Sequence, residues 1–209
     1  MKRYVTIAAL TLAALAPLAA QAPQGWKVRA DRSTSASDPD ASGAIKFMAM
    51  GNGFHAITPQ AAVFWNPANT ATGNYTLKGT FTQLKASSHT NYYGLVFGGE
   101  HLDTAEQTYL YFTVAQDGTW LIKRREGDVN TKNVSQAANA AVKKLDATGK
   151  SVNALEVRVM ADKVDFVVNG TVVHSAPKTG LTAKTDGLYG MRSNHALEVM
   201  AEGISVTKQ

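Results

Sequence analysis

The chain has 209 residues, of which 44% are hydrophobic and 18% charged, with six prolines, seventeen glycines and no cysteine. This composition is typical of one globular domain, and the lack of cysteine excludes disulfides, thiolate metal sites, iron–sulfur clusters and a cysteine nucleophile. The net charge of +5 is too small to indicate nucleic-acid binding.

The N-terminus has the pattern of a secretory signal peptide. Met1-Lys2-Arg3 is a short basic head, an apolar run extends from 4 to 20, and Ala20-Gln21-Ala22 is a small-residue cleavage motif. A membrane-spanning helix is the alternative, because the run reaches the lower length limit for a span, but Pro17 and the cleavage motif favour removal. We therefore predict a signal peptide over 1–22 and an exported protein, periplasmic or extracellular, without membrane association after cleavage.

After the signal, residues 23–43 are predicted to form an N-terminal segment with a turn-rich connector, and 44–209 a single domain. Within that domain the hydrophobic pattern has period two, which is typical of half-buried antiparallel strands. The clearest example is 74–83, where Tyr75, Leu77 and Phe81 alternate with lysine and threonine.

The segment 107–125 is predicted to be a hairpin, and its faces decide between two turns. A two-residue turn at Asp117-Gly118 would mix apolar and charged partners on one face. A three-residue loop instead pairs Val114 with Trp120, and Phe112 with Ile122, so it is preferred and turns the tryptophan inward. The opposite face then carries aromatic and basic side chains, among them Tyr109, Tyr111, Lys123 and Arg125.

Further along the chain, 155–175 is predicted to be a three-stranded meander, with turns at Ala161-Asp162 and Asn169-Gly170. Its register places Arg158, Asp165 and His174 in one row. The strands 188–192 and 196–206 follow, with a bulge at Gly203 where the alternation changes phase.

Between the hairpin and the meander, 137–145 could form a short helix or a loop with an edge strand, and the pattern leaves both open. The many short strands predict an all-β fold, an antiparallel β-sandwich or jelly roll.

Several short motifs resemble the concanavalin A-like lectin/glucanase superfamily, and are most similar to its secreted bacterial laminin G-like and 3-keto-disaccharide hydrolase-like domains. They are Tyr93-Gly94-Leu95-Val96-Phe97-Gly98-Gly99, Tyr109-Leu110-Tyr111-Phe112, Leu121-Ile122-Lys123-Arg124-Arg125, Val168-Asn169-Gly170 and Asp186-Gly187-Leu188-Tyr189-Gly190. The resemblance implies a concanavalin A-like jelly roll of two curved sheets whose concave face often holds sugars, in a superfamily with many non-catalytic members.

The sequence contains no clear catalytic or metal-binding motif. Glu100, Asp103 and Glu106 are spaced by three, so a strand would send them to opposite faces, whereas a glycoside hydrolase needs two carboxylates across one bond. The five histidines lack metal-ligand spacing, and the two acids of Asp38-Pro39-Asp40 are more typical of a turn than of a calcium site. We predict no catalytic residue, no metal and no cofactor.

The face of Tyr109, Tyr111, Lys123 and Arg125 is the remaining candidate site, with Glu100 and His101 expected nearby. Tyrosine rings stack on sugars, and basic groups bind sulfate or uronate, although these residue types are also ordinary on strands. The leading prediction is an exported non-catalytic module that binds a polysaccharide or envelope glycan on its concave sheet, with no nucleic-acid partner. The alternatives are a glycoside-active hydrolase related to the 3-keto-disaccharide hydrolases and a structural or protein-interaction envelope module.

Overall fold

The computed structural model describes residues 23–31, 33 and 36–209, which form two seven-stranded antiparallel sheets and one short 3-10 helix, Gly180–Thr182. The predicted signal peptide lies outside the described residues. In spatial order, the first sheet consists of β1 (Lys27–Ala30), β4 (Ala62–Ala71), β13 (Gly187–Ser193), β6 (Tyr92–Glu100), β7 (Thr108–Ala115), β8 (Thr119–Glu126) and β9 (Asn130–Ala138). The second consists of β12 (Thr171–Pro177), β11 (Lys163–Val168), β10 (Ser151–Val159), β5 (Tyr75–Gln83), β14 (Leu197–Lys208), β3 (Gly53–Thr58) and β2 (Lys46–Met50).

The main core lies between the two sheets, because every second residue of each strand faces inward. On β5 the inward residues include Tyr75, Leu77 and Phe81, as the alternation predicts. Phe112 and Phe166, from opposite sheets, meet with ring centroids 5.2 Å apart. The fold is therefore all-β, as predicted. In the part of the chain that the structure describes, no helix is long and apolar enough to cross a membrane.

The hairpin of β7 and β8 confirms the three-residue loop. Val114 pairs with Trp120, and Phe112 with Ile122, so the opposite face aligns Tyr111 with Lys123. Gly118 has a φ of +90°, a conformation that is inexpensive only for glycine. The turn residues thus determine which side chains point away from the core.

The meander is confirmed in its first hairpin and corrected in its second. Val157 pairs with Phe166, and Arg158 with Asp165, as predicted. The register then shifts after Phe166, so this residue pairs with His174. The predicted row of Arg158, Asp165 and His174 is therefore wrong, because one extra residue in β12 moves the histidine out of line.

The strand pairing determines the structure of three further segments. The register of β14 shifts between Glu202 and Ser205, which confirms the bulge at Gly203. Of the alternatives for 137–145, the structure has edge strand β9 followed by a loop, with Val142 buried against the core. Strand β1 pairs with β4, so the N-terminal segment contributes an edge strand to the first sheet.

Candidate functional site

The outer face of the first sheet, which points away from the main core, is apolar and buried in its middle. Strand alternation, together with Leu102 from the loop between β6 and β7, brings a second cluster of apolar side chains to this face. Its members are Val63, Trp65, Val96, Leu102, Tyr109, Tyr111 and Leu121. An apolar outer face has to be shielded from water. Polar side chains from β13 and from the end of β1 form part of this shield.

Arg192 is the central residue of this cover. It lies on β13 beside Met191, which faces the main core, so the arginine points outward. Its guanidinium lies 5.0 Å from the ring centroid of Tyr111 and 6.0 Å from that of Tyr109. A guanidinium over an aromatic face is a favourable cation–π contact.

Asp31 compensates the buried positive charge. Its Oδ2 forms an ion pair with Arg192 and accepts a hydrogen bond of 2.8 Å from the hydroxyl of Tyr109. Its Oδ1 accepts a 2.9 Å hydrogen bond from Gln107 and lies 3.5 Å from Nη2 of Arg125. The side chain of Asp31 is only 2% exposed, so this network is a buried charge cluster.

The pKa values of this cluster follow from competition between burial and charge. Burial alone would raise the pKa of Asp31, but Arg192, Arg125 and the hydrogen bond from Gln107 outweigh it and lower the pKa to about 2. Burial raises the pKa of Tyr109 above its usual range, so its phenol stays protonated and donates to Asp31. Asp31 is therefore a permanent anion at neutral pH.

A polar pocket of about 460 Å³ lies beside the charge cluster, within the size range of small-ligand sites. We call it the Lys123 pocket. Its walls come from the connector, from β8 and β13, and from the turn after β8. The lining residues are Asp31, Ser33, Asp38, Asp40, Ala61, Lys123, Arg125, Asp128, Val129, Thr131, Arg192, Asn194 and His195.

Lys123 differs from the other cations of the pocket. Arg192 and Arg125 both contact Asp31, and Arg125 also donates to the backbone oxygens of Gly127 and Asp128. Within the described part of the chain, the ammonium group of Lys123 has no hydrogen-bond or ion-pair partner. Desolvation and the nearby charge of Arg192 lower its pKa. It is a half-buried donor available to a ligand.

The structure divides the six predicted site residues into three groups. Lys123 and Arg125 line the pocket. Tyr109 and Tyr111 lie on the predicted face but are almost completely buried, so their rings support Arg192 and are inaccessible to a stacking sugar. Glu100 and His101 are exposed at the end of β6 and do not line the pocket.

A second polar cluster lies at the edge of the same pocket. Oδ1 of Asp38 is 3.1 Å from Nε2 of His89 and 3.1 Å from Nε2 of His195. The two Nε2 atoms are 2.9 Å apart. His89 belongs to the loop between β5 and β6, and His195 to the turn between β13 and β14. Side chains of these types can hold a metal ion.

Sequence reasoning missed Asp31, Arg192 and the two histidines because their partners are remote in the chain. Asp31 and Arg192 are 161 positions apart, and His89 and His195 are 106 apart. A local spacing rule detects only neighbours on one element. A signal for Arg192 was nevertheless present: it follows the apolar Met191 in the predicted strand 188–192, so the two side chains are expected on opposite faces.

Comparison with known proteins gives structural relatives only. No family model matches the sequence, and no curated protein matches it. Among solved structures, the carbohydrate binding module CBM66 from Bacillus subtilis has a TM-score of 0.62 at 9% identity, covering 88% of this chain and 96% of its own. A Bacillus subtilis protein of unknown function with a galectin-like fold has a TM-score of 0.58 at 15% identity, covering 88% and 89%. The fold is a concanavalin A-like jelly roll.

A putative glycosyl hydrolase from Parabacteroides distasonis has the same jelly roll, with a TM-score of 0.51 at 12% identity and coverage of 91% of both chains. Jelly rolls thus include proteins described as binding modules and others described as enzymes. Because a fold does not determine an activity, function has to be argued from the side chains of the Lys123 pocket.

Proposed function

We propose that this protein is an exported, non-catalytic module that binds an acidic glycan, one carrying uronate or sulfate groups, in the Lys123 pocket. The observation that carries the proposal is the half-buried ammonium group of Lys123, which has no partner among the described residues and lies in the wall of a polar pocket. A carboxylate or sulfate placed there would receive a charge-assisted hydrogen bond. The similarity in fold to a carbohydrate binding module supports a carbohydrate as the ligand.

The remaining pocket residues favour binding over hydrolysis. Glycosidases need one carboxylic acid with a raised pKa, which protonates the leaving group. In this pocket the pKa of Asp31 is lowered to about 2, and the hydrogen bond from Arg29 lowers that of Asp128. Asp38 is paired with two histidines. Neither Asp31 nor Asp128 therefore has the raised pKa of a general acid, so the hydrolase alternative has less support than a binding role.

Titration of the purified protein with uronate-containing, sulfated and neutral polysaccharides, followed by calorimetry, tests the proposal. Lys123→Ala should weaken binding of the acidic ligand by about tenfold to a hundredfold, the worth of one hydrogen bond to a charged group. Lys46→Ala is the matched control, because Lys46 is an exposed lysine on the second sheet.

Two results would contradict the proposal as a whole, and a third would contradict its acidic ligand. One is the absence of binding to any of the three polysaccharide classes. The other is equal affinity of the Lys123→Ala and Lys46→Ala variants for the acidic ligand. Binding of neutral polysaccharides alone, independent of salt concentration, would refute the acidic specificity, since an ammonium–anion contact weakens as ionic strength rises.

A further inference from the structure

The cluster of Asp38, His89 and His195 has the geometry of one face of a metal coordination sphere. The three ligand atoms are 2.9 to 3.1 Å from one another. In a tetrahedral site with metal–ligand bonds of about 2.0–2.1 Å, ligand atoms lie about 3.3–3.4 Å apart. Outward shifts of a few tenths of an ångström would therefore place the three atoms around a transition-metal ion.

The three ligand atoms form a triangle, and hydrogen bonds alone leave one of its three contacts unfavourable. If both histidines donate from Nε2 to Asp38, two N–H groups face each other across 2.9 Å. If only one of them donates to Asp38, the lone pair of the other Nε2 faces a carboxylate oxygen 3.1 Å away. A cation between the three atoms removes the conflict, because each atom then directs a lone pair at positive charge.

The surroundings hold the imidazole rings in the orientation that a metal site needs. Nδ1 of His195 lies 3.5 Å from Oδ1 of Asp40, and Nδ1 of His89 lies 3.0 Å from Oγ of Ser88. With Nδ1 protonated toward an oxygen acceptor, Nε2 carries the lone pair and can bind metal. Oδ1 of Asp40 is buried and accepts no other hydrogen bond from the described residues, so it is available as an acceptor for Nδ1–H of His195.

We infer that Asp38, His89 and His195 form a binding site for a divalent transition-metal ion such as Zn²⁺. Two imidazoles and one carboxylate are a nitrogen-rich donor set, which zinc-like ions accept and which Ca²⁺ and Mg²⁺ do not favour. The fourth position is left for water, since the nearby Nδ2 of Asn91, 3.0 Å from Nε2 of His89, is a hydrogen-bond donor and not a metal ligand. The ion would tie the connector to two loops of the sandwich beside the Lys123 pocket.

The test is calorimetric titration of the purified, untagged protein with Zn²⁺, with Ca²⁺ in parallel. One equivalent of Zn²⁺ should bind with micromolar or tighter Kd, and a hundredfold excess of Zn²⁺ over Kd should raise the Tm by about 5–10 °C. Co²⁺ should give the intense visible absorption of a four- or five-coordinate site.

Variants distinguish the residues that bind the metal from residues that do not. His89→Ala and Asp38→Asn should weaken Zn²⁺ binding more than about a hundredfold, and Asp40→Asn by about 10- to 100-fold as a positioning residue. His101→Ala is the control, because His101 is an exposed histidine outside the cluster. Far-UV circular dichroism of the metal-free variants shows whether each remains folded. His89 and Asp38 are exposed, so their replacement leaves the core intact.

The inference is overturned if no stoichiometric binding of Zn²⁺ or Co²⁺ occurs, or if folded His89→Ala and Asp38→Asn bind as tightly as the parent protein. Equal affinity for Ca²⁺ and Zn²⁺ would refute the assigned metal class. Lys123→Ala should leave Zn²⁺ affinity unchanged. A failure of glycan binding and a failure of metal binding are therefore distinguishable.

Discussion

Replacing Asp31 with asparagine should reveal how strongly the charge cluster stabilises the fold. Asparagine keeps the shape of the side chain but removes the charge that faces the buried guanidinium of Arg192. The lowering of the Asp31 pKa from 3.8 to about 2 corresponds to about 2 kcal/mol. Asparagine also turns an NH₂ group toward the surrounding donors, so we expect a loss of about 3–5 kcal/mol, as for other broken buried ion pairs.

Urea denaturation at pH 7 measures this loss as a change in the free energy of unfolding. Asp103→Asn is the control, since Asp103 forms an ion pair with Lys27 in which both side chains are more than half exposed. That control should leave the free energy of unfolding essentially unchanged. A loss below about 1 kcal/mol for Asp31→Asn would refute the view that Asp31 compensates a buried cation.

The same cluster makes the stability of the fold depend on pH. Because the folded-state pKa of Asp31 is lower than its unfolded value, its contribution to stability is complete above about pH 5 and is lost as the pH falls toward 2. The difference in stability between the parent protein and Asp31→Asn should shrink over that window. A difference that stays constant down to pH 2 would contradict the assigned pKa.

Two further pairs of substitutions test individual contacts, one in the charge cluster and one between β4 and β13. Tyr109→Phe should lower the free energy of unfolding, measured by urea denaturation, by about 1–3 kcal/mol, because the hydroxyl both donates to Asp31 and accepts from Arg192. Tyr111→Phe should lower it little, since that ring contacts the guanidinium through its face. Equal costs for the two would count against the hydrogen-bond argument. Gly190→Ala should lower the free energy of unfolding by at least about 2 kcal/mol more than Gly79→Ala. A Cβ at 190 would collide with the backbone oxygen of Phe64 on the paired strand, while at 79 its nearest neighbour is a side-chain carbon 3.1 Å away. A smaller difference would show that β4 and β13 separate easily.

The sequence pattern was sufficient to predict strand pairing where the turn residues and the alternation of apolar residues together allow only one register. The hairpin of β7 and β8 follows from Gly118 and from apolar residues at every second position, and both were visible in the sequence. The pairing of His174 could not be predicted from the sequence, because the extra residue in β12 breaks the alternation. This strand lies at the edge of its sheet and is only partly buried. Burial specifies register strongly only where one face must avoid water.

The candidate site shows the same division. The sequence by itself indicated that Tyr109, Tyr111, Lys123 and Arg125 share a face, because a β-strand repeats every two residues. Only the tertiary structure decided that the tyrosines are covered, that Lys123 has no partner in the described part of the chain, and that Asp31 meets Arg192. Those contacts depend on the position of the connector and on the place of β13 between β4 and β6 in the sheet. The residues involved are separated in the chain by distances at which local patterns carry no information about proximity.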